Sequence, residues 1–273
     1  MAISILNNIP SLVAQNQLSI TQNNLQNTLF QLSSGSRINS GADDAAGLAI
    51  ANGLGANITA LTQSAQNAGS GIGALQVADG SLAQITTMLN RSVTLATEAA
   101  TGTVSNTQRT ALNAEYTQIQ AEINRIGTTA TYNGTSVFTA ATTSIFLSDA
   151  NSNSTIAVTV GVLASSGTGG LGLATDITSA TNAQSALIEI DAAIATVAST
   201  RGTIGAGINR LQSATNVITN QVQNLTSAQS NIVSADISQV VGNLSRFSIL
   251  SQTGIAALSQ ANSTQQNVLQ LLH

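Results

Sequence analysis

The chain has no cysteine, no tryptophan, no lysine and a single proline, Pro10. Without cysteine there can be no disulfides and no thiolate metal sites. Aromatic residues are only 2% of the 273, so the core must be built from small and branched aliphatics over long, repetitive contacts. The 42% hydrophobic content is enough for that. All seven basic residues are arginine, against 11 acidic ones, and the formal charge is -4. Nucleic-acid binding is not expected, because phosphate neutralisation needs clustered positive charge. The one histidine is His273, which excludes His-based catalysis and multi-histidine metal sites. There is no HExxH and no phosphate-binding loop, and the GSGIG at Gly69 to Gly73 lacks a preceding strand. No cofactor is expected, and an enzyme is not. The opening MAISILNNIPSLVAQ has no basic region or cleavage pattern and is interrupted by Asn7, Asn8 and Pro10, so a cleaved secretory signal is not expected. No run approaches the ~18 uninterrupted apolar residues of a membrane span, and membrane insertion is not expected either.

What the chain does have is heptads. From Leu54 the apolar positions step by four and three through Ile58, Leu61, Ala65, Ala68, Ile72 and Leu75, and continue through Asp79, Leu82, Thr86, Leu89, Val93 and Ala96. Held for about six heptads, this predicts a helix roughly 65 Å long. A second seam runs Leu187, Ile190, Ile194, Val197, Arg201, Ile204, Ile208, Leu211, Thr215, Ile218, Val222, Leu225, Gln229 and Ile232. A shorter one is Leu112, Tyr116, Ile119, Ile123 and Ile126, with an N-cap signal at Asn106 or Thr107. Three such helices can bury one another in a bundle. The polar members Asp79, Thr86, Arg201, Thr215 and Gln229 either fix register or mark where the seam drifts to the surface.

Both chain ends carry apolar stripes: Leu18, Leu25, Leu29 and Leu32 at one, and Ile237, Val241, Leu244, Phe247, Ile255, Leu258, Val268 and Leu269 at the other. Their remaining faces are Asn, Gln, Ser and Thr, which suits packing against further copies of the chain rather than a membrane surface. Isolated helices of this kind are marginal in water. Between Tyr132 and Thr181 the period changes. Asn133-Gly134 signals a turn, and TSIFL (Thr143 to Leu147) and TIAVTV (Thr155 to Val160) read as one β-hairpin.

Between the first stripe and the first long seam stands LSSGSRINSGADDAAGLAI, Leu32 to Ile50. Ser40 with Asp43 fits a Ser-x-x-acid cap, which would place Asp43 and Asp44 in a first helical turn, where negative charge is favoured. An acid/base pair is not expected of these neighbours, which point about 100° apart on a helix with no nucleophile beside them.

This stretch closely resembles the N-terminal signature of bacterial flagellins. The likeness continues through QNAGSGIGALQVADGSLAQI, LNRSVTLATEA and TTATYNG, and at the other end through ALIEIDAAIATVASTRGTIGAGINRL and ILSQTGIAALSQANSTQQNVLQLL. Two departures stand out. The family's Arg/Asp-rich C-terminal segment is here SNIVSADISQVV, with only Asp236 kept, and the variable outer domains are missing. The resemblance implies a mainly α fold: a long antiparallel coiled-coil-like helical rod with a β-hairpin, plus terminal helices that pair in a filament core. The implied domains are a discontinuous terminal polymerisation domain, 1–40 and 236–273, and a rod, 41–235, with its hairpin region at 132–180. It also implies a filament subunit for swimming motility, exported unfolded by the flagellar type III system and located outside the cell. Implied partners are further copies of itself, an export chaperone, a filament cap and hook-junction proteins. The family's joint corresponds to the segment carrying Arg37, Asp43 and Asp44, with Arg37 an interaction residue within or between subunits. Arg91, Leu95 and Glu115 match positions that Toll-like receptor 5 recognises in flagellins, with Thr94 where many recognised flagellins carry an acid. The other reading of these three is subunit packing alone. A flagellin-like hook-filament junction protein and a secreted coiled-coil adhesin are the alternatives.

Overall fold

A computed structural model describes residues 8–140, 142–149, 154–163 and 170–270. The side chains of residues 268–270, and so Val268 and Leu269 of the expected stripe, lie outside the described residues. The fold is mainly α. In chain order the elements are α1 (Ile9–Ser34), α2 (Ala45–Ala100), α3 (Asn106–Thr129), the strands β1 (Thr131–Tyr132), β2 (Thr135–Ser136), β3 (Thr143–Phe146) and β4 (Thr155–Val158), then α4 (Ala180–Val233) and α5 (Ile237–Gln270). They form two compact units. Residues 1–55 with 224–273 make one and residues 56–223 the other, so each unit boundary falls inside a long helix.

In the unit of residues 56–223, α2 and α4 run antiparallel: Leu75 abuts Gly207, Gly71 abuts Leu211, and Asp79 pairs with Arg201. The seams differ from expectation by one residue in every second step. Within this unit the covered positions of α2 are Leu61, Ser64, Ala68, Gly71, Leu75, Ala78, Leu82, Ile85, Leu89, Ser92, Leu95, Ala96 and Ala99. The expected Ala65, Ile72, Asp79, Thr86 and Val93 are only half-buried. The same shift occurs on α4, where Ala193 and Gly207 are buried and Ile194, Arg201 and Ile208 flank them. The main reason is size. At the second heptad position of α2 the axis is lined by Ser64, Gly71, Ala78, Ser92 and Ala99, small residues that allow close approach, while at Ile85 it is the apolar residue that faces inward and polar Thr86 that stands at the edge. By length and composition α2 also holds an 18-residue window, mean hydropathy 1.2, in the range of membrane spans. Its large apolar residues Leu75, Leu82 and Leu89 are committed to the core of this unit.

The third helix begins one residue earlier than expected. Ser105 is its N-cap in a reciprocal capping box with Gln108, which satisfies two backbone donors at once. Tyr116 and Ile123 are fully buried. The β region forms two hairpins rather than one. β1 and β2 pair antiparallel around Asn133-Gly134, both at positive φ as the turn type requires, and β3 pairs with β4 in the register Thr143 with Val158 and Phe146 with Thr155. Glycine lets the second hairpin settle on the bundle, because Ile145 occupies the space a Cβ on Gly71 would need. Ser64 adds a polar anchor, its hydroxyl donating to Ser148 O (2.8 Å) and accepting from Ser148 N (3.0 Å). A carboxylate holds the return to α4: Glu189 accepts from Ala174 N, Thr175 N and Thr175 Oγ1 at 2.6 to 3.0 Å. Burial raises its pKa, but these hydrogen bonds outweigh that and hold it below the usual value of 4.5.

In the unit of residues 1–55 and 224–273, α1 and α5 lie antiparallel. Asn8 Nδ2 donates to Ala261 O (3.2 Å), Ser11 Oγ to Asn262 Oδ1 (3.0 Å), and Leu18 packs on Gly254. Gln229 near the end of α4 donates to Ala51 O of α2 (3.0 Å), so the first turns of one long helix and the last turns of the other belong to this unit.

Candidate assembly surface and joint

The joint is a place where backbone ends are satisfied. Gly35 closes α1 at φ 69, a left-handed conformation that costs glycine nothing. The chain then pairs antiparallel with the segment linking α4 to α5: Arg37 N donates to Val233 O (2.6 Å) and Ala235 N to Gly35 O (3.0 Å), with Ser36 opposite Ser234. The guanidinium of Arg37 donates to Ile232 O (2.7 Å). It therefore caps the carbonyl end of α4, which has no basic residue of its own in its last turn. Within the subunit, Arg37 thus joins the segment after α1 to the end of α4.

The helix begins about one turn later than the Ser-x-x-acid pattern suggests, so both aspartates stand before it. Asp43 Oδ2 accepts from the amides of Asn39 and Ser40 (3.0 and 2.9 Å) and from the Ser40 hydroxyl, so it organises the turn before α2. The two amides, Asn39 first, hold its carboxyl below the usual range. Asp44 is the residue that caps α2, accepting from Gly47 N at 2.8 Å while Leu48 N reaches Asp44 O. Neither acid lies in the first turn. Asp236 repeats the device on α5, its Oδ1 accepting from Gln239 N at 3.2 Å, which gives the one retained aspartate a physical role.

The terminal helices show two apolar faces each. On α1 the covered face carries Leu18, Thr21, Leu25, Thr28 and Leu32, where the threonine hydroxyls donate to Gln17 O and Asn24 O and so leave only methyl groups to pack. Leu29, expected in this stripe, stands at its edge and is 47% exposed. On the opposite face Leu12 (66%), Val13 (63%), Ile20 (47%) and Phe30 (65%) are open to solvent. On α5 the covered residues include Val240, Leu244, Phe247 and Leu258. The expected Ile237, Val241 and Ile255 are exposed on the flank, and Ile249 and Leu250 are exposed beyond them. Sequence reading missed this second set, although Val13 and Ile20 stand seven residues apart, a helical spacing. It also missed Val240.

Arg91 and Glu115 meet across α2 and α3 in a bidentate pair (2.7 and 3.0 Å), both exposed. Leu95 differs from expectation: it is fully buried, because one turn on from Arg91 the helix surface has rotated into the seam. It is not part of a surface shared with the other two. A residue the sequence did not single out sits nearby. Arg109, 8% exposed, donates to Ala99 O (2.7 Å), Thr101 O (2.9 Å) and Asn106 Oδ1 (3.0 Å), closing the carbonyl end of α2 as Arg37 closes that of α4.

The sequence matches the family described as bacterial flagellin N-terminal helical region over residues 5–143, and its C-terminal helical region over 187–272. Flagellin of Halalkalibacterium halodurans is 36% identical over 266 residues, covering 97% of this chain and 98% of its own. Flagellin FlaB2 of Treponema pallidum is 32% identical over 280 residues, with the same coverage. The crystal structure of Bacillus cereus flagellin aligns with 60% of this chain and 94% of its own at 30% identity and a TM-score of 0.49.

Proposed function

The chain belongs to the bacterial flagellin family, whose members are structural subunits of the flagellar filament, and on that premise we propose how its residues carry out assembly. The observation that carries the reading is the double-faced terminal pair. α1 and α5 cover one apolar face of each other and leave a second row, Leu12, Val13, Ile20 and Phe30 with Ile249, Leu250 and Ile255, in water. Burying each such Leu, Ile or Phe against a neighbouring subunit contributes roughly 1.5 to 3 kcal/mol. The covered Leu18, Leu25, Leu32, Leu244, Phe247 and Leu258 set the pair, and the open row joins pairs into a helical homopolymer. Leu29, Ile237 and Val241 on the flanks serve both contacts. The terminal unit is the polymerisation domain in this reading, and residues 56–223 are the rod.

Low charge and few aromatics also suit passage as an unfolded chain through the flagellar type III channel, with a chaperone covering the apolar C-terminal segment until export. Folding follows outside the cell under a distal cap, on a base set by the hook-junction proteins. Of the receptor-like pattern, the exposed Arg91 and Glu115 are what Toll-like receptor 5 would meet. Binding of the purified monomer to that receptor separates recognition from subunit packing.

Deletion of Ser251 to His273 tests the reading. The truncated chain should remain helical and form no fibres when seeded in salt, as judged by electron microscopy. Normal filaments from the truncated chain would sink it.

A further inference from the structure

The chain contains two Asn-Gly pairs, and the structure places them in opposite backbone environments. Asn52-Gly53 lies inside α2, where the Gly53 amide is held in the helix and the main chain is fixed. Asn133-Gly134 forms the exposed two-residue turn between β1 and β2, with φ of 49 and 76, and a Cβ placed at Gly134 would meet nothing within 4 Å. Neither the Asn133 side chain nor the Gly134 amide takes a hydrogen bond among the described residues.

We propose that Asn133 is a site of spontaneous covalent modification: its side-chain amide is converted to a carboxylate through a cyclic imide formed with the Gly134 main-chain nitrogen. The Gly134 nitrogen gives its proton to solvent base and attacks Asn133 Cγ. A new C–N bond forms, the bond from Cγ to the side-chain nitrogen breaks, and that nitrogen leaves as ammonia. Water then opens either carbonyl of the ring. The products are aspartate, or isoaspartate with the main chain rerouted through the side chain, and the net change is one water in and one ammonia out. Glycine is what makes this feasible, since a side chain at residue 134 would crowd the attack and restrict the main chain. The consequence lies one residue away. Tyr132 rests over Gly73 of α2, where a Cβ would come 3.1 Å from its hydroxyl oxygen. A negative charge, or an extra main-chain methylene in so tight a turn, loosens β1–β2 and with it this contact. Because an exported filament subunit is not resynthesised in place, the modification would accumulate with its age.

The test uses the full-length chain, incubated in mildly alkaline buffer both folded and in denaturant. Cleavage at arginine and fragment mass spectrometry then score Asn52 and Asn133 in the same sample. In the folded protein Asn133 should convert roughly tenfold or more faster than Asn52, since Gly53 reacts only after local helix opening, and the gap should close in denaturant. Isoaspartate should be detected at residue 133 by enzymatic methyl transfer, and Asn133→Gln should abolish the product there. Equal rates at the two sites in the folded chain, or acceleration of Asn133 by denaturant as large as that of Asn52, would overturn the proposal, because the turn would then protect the site. So would an Asn133 that keeps its amide while Asn52 reacts.

Discussion

Arg201 of α4 and Asp79 of α2 meet in a bidentate ion pair, Nε to Oδ1 at 2.8 Å and Nη2 to Oδ2 at 3.3 Å. Both side chains are about two-fifths exposed, so the pair adds little to stability. Its value is positional. The large seam residues Leu75, Leu82 and Leu89 repeat every seven residues, so hydrophobic packing alone would accept a slip of one heptad. Such a slip would set Arg201 against Ile72 or Thr86. A double-mutant cycle with Asp79→Ala and Arg201→Ala should give a coupling of about 0.5 to 1 kcal/mol in denaturant unfolding, reduced by salt. Exchanging the two residues should restore the coupling.

Gly71 and Gly202 offer opposite outcomes for one substitution. Gly202→Ala meets open space and should gain up to about 1 kcal/mol from helix propensity. Gly71→Ala forces Ile145 out of its seat and should cost about 1 to 3 kcal/mol despite the same propensity gain. Thermal unfolding monitored by circular dichroism separates them, and parity between the two variants would refute the close seating of the hairpin.

Arg109 is buried with carbonyl oxygens rather than an acid as its main partners. Arg109→Leu keeps bulk but leaves the last carbonyls of α2 unpaired, and should cost about 1.5 to 3 kcal/mol in equilibrium unfolding. Lysine should rescue only part, since a point charge cannot fork to two carbonyls as a guanidinium does.

Glu189 has its carboxyl held below the ordinary 4.5 in the folded chain. A lowered folded-state value means the contribution is fully present above the unfolded value and is lost as pH falls through the folded one. Glu189→Gln should therefore be less stable than the parent by about 1 kcal/mol at neutral pH. The two should converge in acid, once the parent's carboxyl is protonated. A constant difference from neutral to acidic pH would show that the cradle at Ala174 and Thr175 does not depend on the charge.

Leu12 and Phe30 stand open on the face of α1 turned away from α5. Replacing both with serine should leave monomer helicity unchanged and prevent fibre growth from seeds, read by light scattering. The same change at buried Val240 of α5 should instead lower monomer stability.

The residue pattern by itself determined a great deal. Period and length marked α2, α4 and both terminal helices, because an apolar residue every three or four positions has no stable use except along one side of a helix. It also marked the β3–β4 hairpin and the Asn133-Gly134 turn. What it did not contain was the azimuth of each helix within a packed structure. Whether Ile72 or Gly71 faces inward depends on how closely a second helix and a hairpin approach, and that is a property of the assembled neighbours rather than of either residue. The Arg37 cap, the covered Val240 and the buried Leu95 follow the same rule, since their partners are main-chain carbonyls or helix faces on other elements, whereas Arg109 reaches carbonyls only eight and ten residues back, across the turn between α2 and α3. Only the tertiary structure, which brings residue 37 beside residue 232, decided them.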